Sequence, residues 1–120
     1  MSIVYWIDPV RPLVHVRAWG ALTPTQLREH QARLAADPQF DPAFWQLTDL
    51  RELVHVDGST EELEANSVHP LFCPGVRRAV LVANEYQIAF TRLFAKLATA
   101  VGQQVKIFHD PEAAERWLSA

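Results

Sequence analysis

The order of apolar runs and capped amphipathic segments predicts an α/β domain with a central mixed, mostly parallel sheet flanked by helices. Three observations carry that prediction. Short β-rich runs alternate with helical segments, giving the order β-β-α-β-α-β-α-β-α. The helical segments open on Thr23, Ser59, Asn84 and Asp110, all side chains that cap helix amino termini. Arg78–Ala83 is a nearly continuous apolar run of strand length, as expected of a central strand covered on both faces.

Ile3 to Ile7 reads as the first strand, closed by Asp8-Pro9. Pro12 opens the second, in which Val14, Val16 and Ala18 share one face and His15, Arg17 and Trp19 the other. The short turn between them predicts an antiparallel hairpin. Thr23, Pro24 and Gln26 form a capping box with proline at the first helical position, and Leu22 and Leu27 stand at staple spacing. That helix should stop at Asp37, because Pro38 disfavours helical backbone in the residue before it. After the connector Pro38–Pro42, the run Phe44–Leu50 predicts a strand ending near Asp49. Asp57-Gly58 is a turn signal, and Ser59 with Glu62 is a second capping box opening a short helix through about Ser67. His69-Pro70 and Cys73-Pro74-Gly75 interrupt the chain, with Pro-Gly suited to a type II turn. After the Arg78–Ala83 strand, Asn84 caps a helix over Glu85–Val101. Its Tyr86, Phe90, Leu93, Phe94, Leu97, Ala100 and Val101 fall in one arc of roughly 120° at helical periodicity, with Ile88 the apolar exception on the opposite side. Gly102 is placed to end it. Gln104–Phe108 is the last strand, and Asp110-Pro111 opens a final helix with Ala114, Trp117 and Leu118 on one side.

The bulk numbers set bounds on function. The chain has 120 residues, 49% of them apolar, which fits a single domain spanning 1–120. Eleven Lys and Arg against fourteen Asp and Glu give a formal charge of -3, with no basic stripe. Neither nucleic acid nor an anionic membrane surface is therefore an expected partner. The longest apolar runs fall well short of the roughly 20 residues of a spanning helix, and the amino terminus does not read as a signal peptide. Cys73 is the only cysteine and has no partner for an internal disulfide, which points to a reducing, cytoplasmic setting.

The element order resembles the STAS domain, the fold of the bacterial anti-sigma-factor antagonist SpoIIAA, and its stand-alone SpoIIAA-like relatives. In STAS regulators a strand ends in an aspartate. Eight residues later a second aspartate precedes a Ser/Thr pair and a glycine at a helix start. Asp49 and Asp57 have that spacing, and Ser59 falls on the position that is the phosphoacceptor in the family. Gly58 stands in place of the first Ser/Thr, and Thr60 in place of the glycine. Val105–Phe108, Ala113-Ala114 and Trp117-Leu118 also look like the stand-alone relatives.

The resemblance implies a non-enzymatic regulatory or protein–protein interaction domain without a cofactor, meeting a protein partner around the Ser59 helix. A phosphate at Ser59 would gain hydrogen bonds from unpaired N–H groups, against repulsion from Asp57, Glu61 and Glu62. The plainer reading is that Ser59 caps a helix. Trp19, with His15 beside it, marks a partner surface if exposed and belongs to the core if helices cover both sheet faces. Ile88 offers a contact for a homodimer. The alternative function is a small-molecule or lipid-like binding module of the same fold, with Trp19, Phe72 and Tyr86 lining a pocket. An apolar cavity of about 300 Å3 or more with a few convergent polar groups would favour it, and a filled core with a flat exposed patch would favour interaction. An enzyme would need Asp49, His55 or Cys73 to converge on a common centre. The five histidines have no metal-motif spacing, so no metal site is expected.

Overall fold

The computed structural model describes residues 2–59, 61–62 and 71–120. The helix expected through Ser67, the residue Thr60 and the His69-Pro70 break lie outside the described residues. Five strands form one sheet in the order β1-β2-β3-β4-β5, with β1 Ile3–Ile7, β2 Leu13–Leu22, β3 Trp45–Val56, β4 Arg77–Leu81 and β5 Gln104–Phe108. The β1–β2 pair is antiparallel and all other pairs are parallel. Three helices pack on it among the described residues: α1 Pro24–Ala36, α2 Glu85–Ala100 and α3 Pro111–Leu118.

The hairpin turn is built by Asp8. Its carboxylate accepts hydrogen bonds from the backbone N–H of Val10 (2.9 Å) and of Arg11 (3.0 Å), which hold it well below the usual carboxylate range. Both halves of the Thr23–Gln26 capping box form, and α1 ends at Asp37 as the proline predicts. Tyr5 on β1 donates to Asp37 Oδ2 at 2.7 Å, tying the end of α1 to the sheet edge.

Period-two alternation sorts the side chains onto two faces. Ile3, Val16, Thr48, Val80 and Ile107 lie across neighbouring strands on the inner face, and Arg78 and Gln46 occupy the same face. Helices α1 and α2 cover this side, over a core that includes Val14, Leu22, Leu34, Leu53 and Val82. On the outer face α3 packs Ala114 and Trp117 on Leu47, Ala79, Leu81 and Phe108. The β1–β2 half of that face stays open, with Val4 39% and Trp6 49% exposed.

Two expectations are corrected. β3 does not end near Asp49; it runs on to Val56, because β2 also extends and pairs with it out to Leu22↔Val56 across two register shifts. Asp49 is therefore mid-strand. Helix α2 does not bury the centre of its apolar arc. It turns Gln87, Thr91 and Ala98 into the core, leaving Tyr86, Ala100 and Val101 exposed, while Ile88 packs against the core instead of facing outward. Gln87 is the reason. Its side-chain oxygen accepts from Ala83 N (2.6 Å) and its Nε2 donates to Leu53 O (2.9 Å), so the amide pins this side of the helix to β3 and to the β4–α2 connection. Of the two backbone groups the Leu53 carbonyl is the buried one, and losing this donor there costs free energy.

The turn after β3 explains one departure from the STAS pattern. Gly58 has φ of +107°, and a Cβ built on it would lie 2.7 Å from Pro24 Cγ. A Ser at this position is strained by the backbone and by the first residue of α1. We expect Gly58→Ser to cost about 1–3 kcal/mol in urea unfolding, with part of the loss recovered in a Gly58→Ser, Pro24→Ala double variant. Equal midpoints for Gly58→Ser and the parent chain would rule this packing out.

Candidate functional site

Because α2 is pinned through Gln87, its Phe90, Phe94 and Leu97 do not fill the space beside the sheet. Between the inner sheet face, α1 and α2 lies a cavity of about 140 Å3. Val16 and Val80 form its floor, Leu27 comes from α1, and Phe72 and Leu71 come from the segment before β4. Polar groups enter it from four elements: His30 on α1, Gln46 and Thr48 on β3, Arg78 on β4 and Thr91 on α2, with Gln103 just ahead of β5. The volume is about half of the roughly 300 Å3 of a drug-sized site. It is close to the ~150 Å3 apolar void that admits benzene in an engineered protein.

Arg78 dominates the cavity's chemistry. It alternates with Val80 and Val82 along the chain, so the strand period aims it at the core. Its Nε donates to Gln46 Oε1 and its Nη1 to Gln103 Oε1, both at 2.8 Å. The guanidinium carbon sits 4.7 Å from the Phe72 ring centroid and 4.5 Å from that of Phe94. Both glutamines are buried. Gln103 reaches this position because α2 ends in a Schellman turn: Gln103 N donates to Ala98 O and Gly102 N to Thr99 O, with Gly102 at φ of +84°. Its Nε2 then donates to Phe72 O at 3.0 Å. All of these partners are neutral, and no carboxylate pairs with Arg78 among the described residues. Burial pulls the guanidinium down to about 9, so it remains charged at neutral pH.

His30 is the second titratable group of the cavity. Burial, then the positive charges of Arg78 and Arg33, push its imidazole down to about 4. It meets the Tyr5 ring edge-on at 5.8 Å. It is neutral at pH 7, so among the described lining residues the cavity carries the single positive charge of Arg78.

The residues singled out in the sequence lie elsewhere, apart from Phe72. Asp49 accepts from Arg51 N, Nε and Nη2 at 2.8 to 3.0 Å; burial alone would raise it, but these bonds outweigh burial and lower it. His55 pairs with Asp57 at 2.8 Å and stacks on Tyr86. Six residues of extended chain, about 20 Å, separate Asp49 from His55, so the two share no centre. Cys73 is exposed, and the guanidinium of Arg77 is held by Trp117 O at 2.7 Å. Ser59 is exposed and caps the helical turn that starts at Glu61. Its Oγ accepts from Glu62 N and its own N–H donates to Glu62 Oε1, both at 3.2 Å. Tyr86 is exposed, its hydroxyl accepting from Val56 N at 2.7 Å. Trp19 is half-buried on the outer face under Arg17, and His15 on the same face stacks on Trp6 and meets Asp8 at 3.3 Å. Sequence reading passed over Arg78, Gln46, Gln103 and His30. One signal was present: a charged residue at an inward position of a strand that is otherwise apolar.

The depressed His30 has a measurable consequence. Its folded pKa lies below its unfolded one, so protonation favours the unfolded chain and stability falls as pH drops from about 6.5 toward 4. At pH 5 the loss is about 2 kcal/mol relative to pH 7. Urea unfolding at the two pH values should show that loss shrinking by most of its size in His30→Gln. An identical loss in both chains would clear His30 of the effect.

No protein-family model matches this sequence, and no curated protein matches it. A crystal structure of an uncharacterised DUF3478-family protein with a SpoIIAA-like fold, from Shewanella loihica, does match in three dimensions. The TM-score is 0.67 at 22% identity, over 98% of this chain and 94% of that one. With its five-stranded mixed sheet and flanking helices, the chain has a SpoIIAA-like fold.

Proposed function

We propose that this chain is a non-enzymatic binding domain that takes a small, mostly apolar ligand into the cavity between α1, α2 and the sheet. The observation that carries this reading is the cavity itself. Its walls are apolar side chains from separate elements, and a few polar groups converge on it, which is how small-molecule sites are built. At about 140 Å3 it suits a ligand with one ring or a short chain. Nothing about the Asp49, His55 and Cys73 positions supports bond-making chemistry, and the reading needs no cofactor. The lone cysteine supports a reducing, cytoplasmic setting.

A regulatory role through a protein partner is the second reading, and the open half of the outer sheet face supports it. Val4 and Trp6 are exposed side by side there, and Trp6 is braced by the His15 ring at a centroid distance of 5.1 Å. Rigid exposed aromatics of this kind anchor protein interfaces. A phosphate switch at Ser59 has less support. The Glu62 N–H already donates to the Ser59 hydroxyl, and Asp57, Glu61 and Glu62 add charge of the same sign as phosphate.

For the cavity, backbone amide NMR with benzyl alcohol and 1-hexanol should move the signals of Phe90, Thr91 and Leu97 in a saturable way. Shifts confined to the outer face, or none with these alcohols or with the matching acids phenylacetate and hexanoate, would end the ligand reading. For the outer face, a photo-crosslinking residue at Trp6 in the native host should give a discrete adduct that the same residue at Val10 does not. No adduct at Trp6, or the same adduct at both positions, would end the partner reading.

A further inference from the structure

We infer that the ligand of this cavity is a small organic acid, its carboxylate paired with Arg78 and its apolar body lying along Phe90, Phe94 and Leu97. The inference rests on the reading of the cavity as a ligand site and goes beyond it by assigning the chemical class.

A guanidinium in an apolar site costs free energy unless an anion and hydrogen bonds compensate it. Here the hydrogen bonds are supplied, and no described residue supplies the anion. Gln46 and Gln103 each present a neutral side-chain oxygen at 2.8 Å. A glutamate at either position would have neutralised Arg78 within the fold. Instead both acceptors are amides, and Phe72 and Phe94 flank the cation with their ring faces. The guanidinium is thus held in place by four neutral groups, with Nη2 finding no acceptor among the described residues. A planar fork fixed in this way matches a carboxylate.

The same arithmetic selects the anion. Among the described residues that line it the cavity holds one positive charge, because its histidine is neutral at pH 7. A monoanion balances it; a phosphate dianion would leave a second negative charge buried and unpaired. The rest of the lining is apolar, so the acid needs an apolar body, and the volume limits that body to one ring or a short chain.

The test compares matched pairs: phenylacetate against benzyl alcohol, and hexanoate against 1-hexanol, by calorimetry and amide NMR on the full chain at pH 7. The acids should bind about tenfold or more tightly than the alcohols. Arg78→Met should remove that preference while keeping alcohol binding. Gln46→Glu, which places an anion beside Arg78 in the chain itself, should weaken the acids about tenfold and spare the alcohols. Should Arg78→Met fail to fold, the His30 ring titration in the parent chain reads the same event. The acid should raise its pKa by offsetting Arg78, and the alcohol should leave it in place. Acids and alcohols binding equally, inorganic phosphate binding more tightly than the acids, or an acid preference that survives Arg78→Met would each overturn the assignment and leave the cavity reading intact. If neither acids nor alcohols shift Phe90, Thr91 and Leu97, the cavity reading itself falls.

Discussion

A half-buried cation with no anionic partner among the described residues is the constraint around which the inner half of this molecule is arranged. Arg78 faces the core because a strand alternates, and a charge there can persist only if neighbours supply dipoles. Gln46 comes from the adjacent strand at the paired register position, Gln46↔Arg78. Gln103 comes from the turn that ends α2. Phe72 and Phe94 close on the guanidinium from either side. The polar cluster and the cavity beside α2 are therefore contiguous, the guanidinium and its two glutamines forming part of the cavity wall.

The two sheet faces follow from the same division of labour. Among the described residues two helices cover the inner face, and one short helix covers the β4–β5 side of the outer face. That outer cluster is sealed by aromatic and cationic stacking, with Arg77 4.9 Å from the Trp45 centroid and 5.3 Å from that of Trp117. Arg77 and Arg78 are neighbours in sequence and point to opposite faces, one over tryptophans at the rim and the other into the cavity. Arg77 anchors the carboxyl end of α3 through Trp117 O. Strand alternation turns an Arg-Arg dipeptide into two unrelated devices.

Local rules made much of the fold legible. The hairpin, the Thr23 capping box, the stop before Pro38, the Asn84 and Asp110 caps and the Gly102 terminus are each decided by residues within a turn of one another, so their signals survive in sequence. The face of α2 was not legible. Its apolar arc is the more hydrophobic side, but Gln87 bonds Leu53 O, 34 residues away, and that contact fixes the rotation. The length of β3 was hidden for a related reason: Arg51, Glu52, Val54 and His55 are exposed and carry no core signal, and only pairing with β2 extends the strand through them. The cavity was the least legible feature. Its polar groups come from positions 30, 46, 78, 91 and 103, and no spacing rule links them.

Helix α2 is where the cavity and the STAS-like segment come into contact. One side of it gives Phe90, Phe94 and Leu97 to the cavity wall. Its first turn holds the end of β3 through Gln87 Nε2 on Leu53 O and through the Tyr86 hydroxyl on Val56 N. One residue beyond Val56, Asp57 opens the turn that leads to Ser59, and its carboxylate is paired with His55, itself stacked on Tyr86. A ligand that changes the rotation or seating of α2 must therefore stretch or keep those two hydrogen bonds. Keeping them moves the Asp57–Ser59 turn, while breaking either leaves a backbone group of β3 without its partner. A second seating of α2 would be populated only by a ligand that binds it more tightly than the seating seen here, since equal affinity shifts no population however tight the binding. An uncompensated Arg78 provides that difference in principle, because the pull of an anion on the guanidinium acts on Gln103, and Gln103 sits on the turn that ends the same helix.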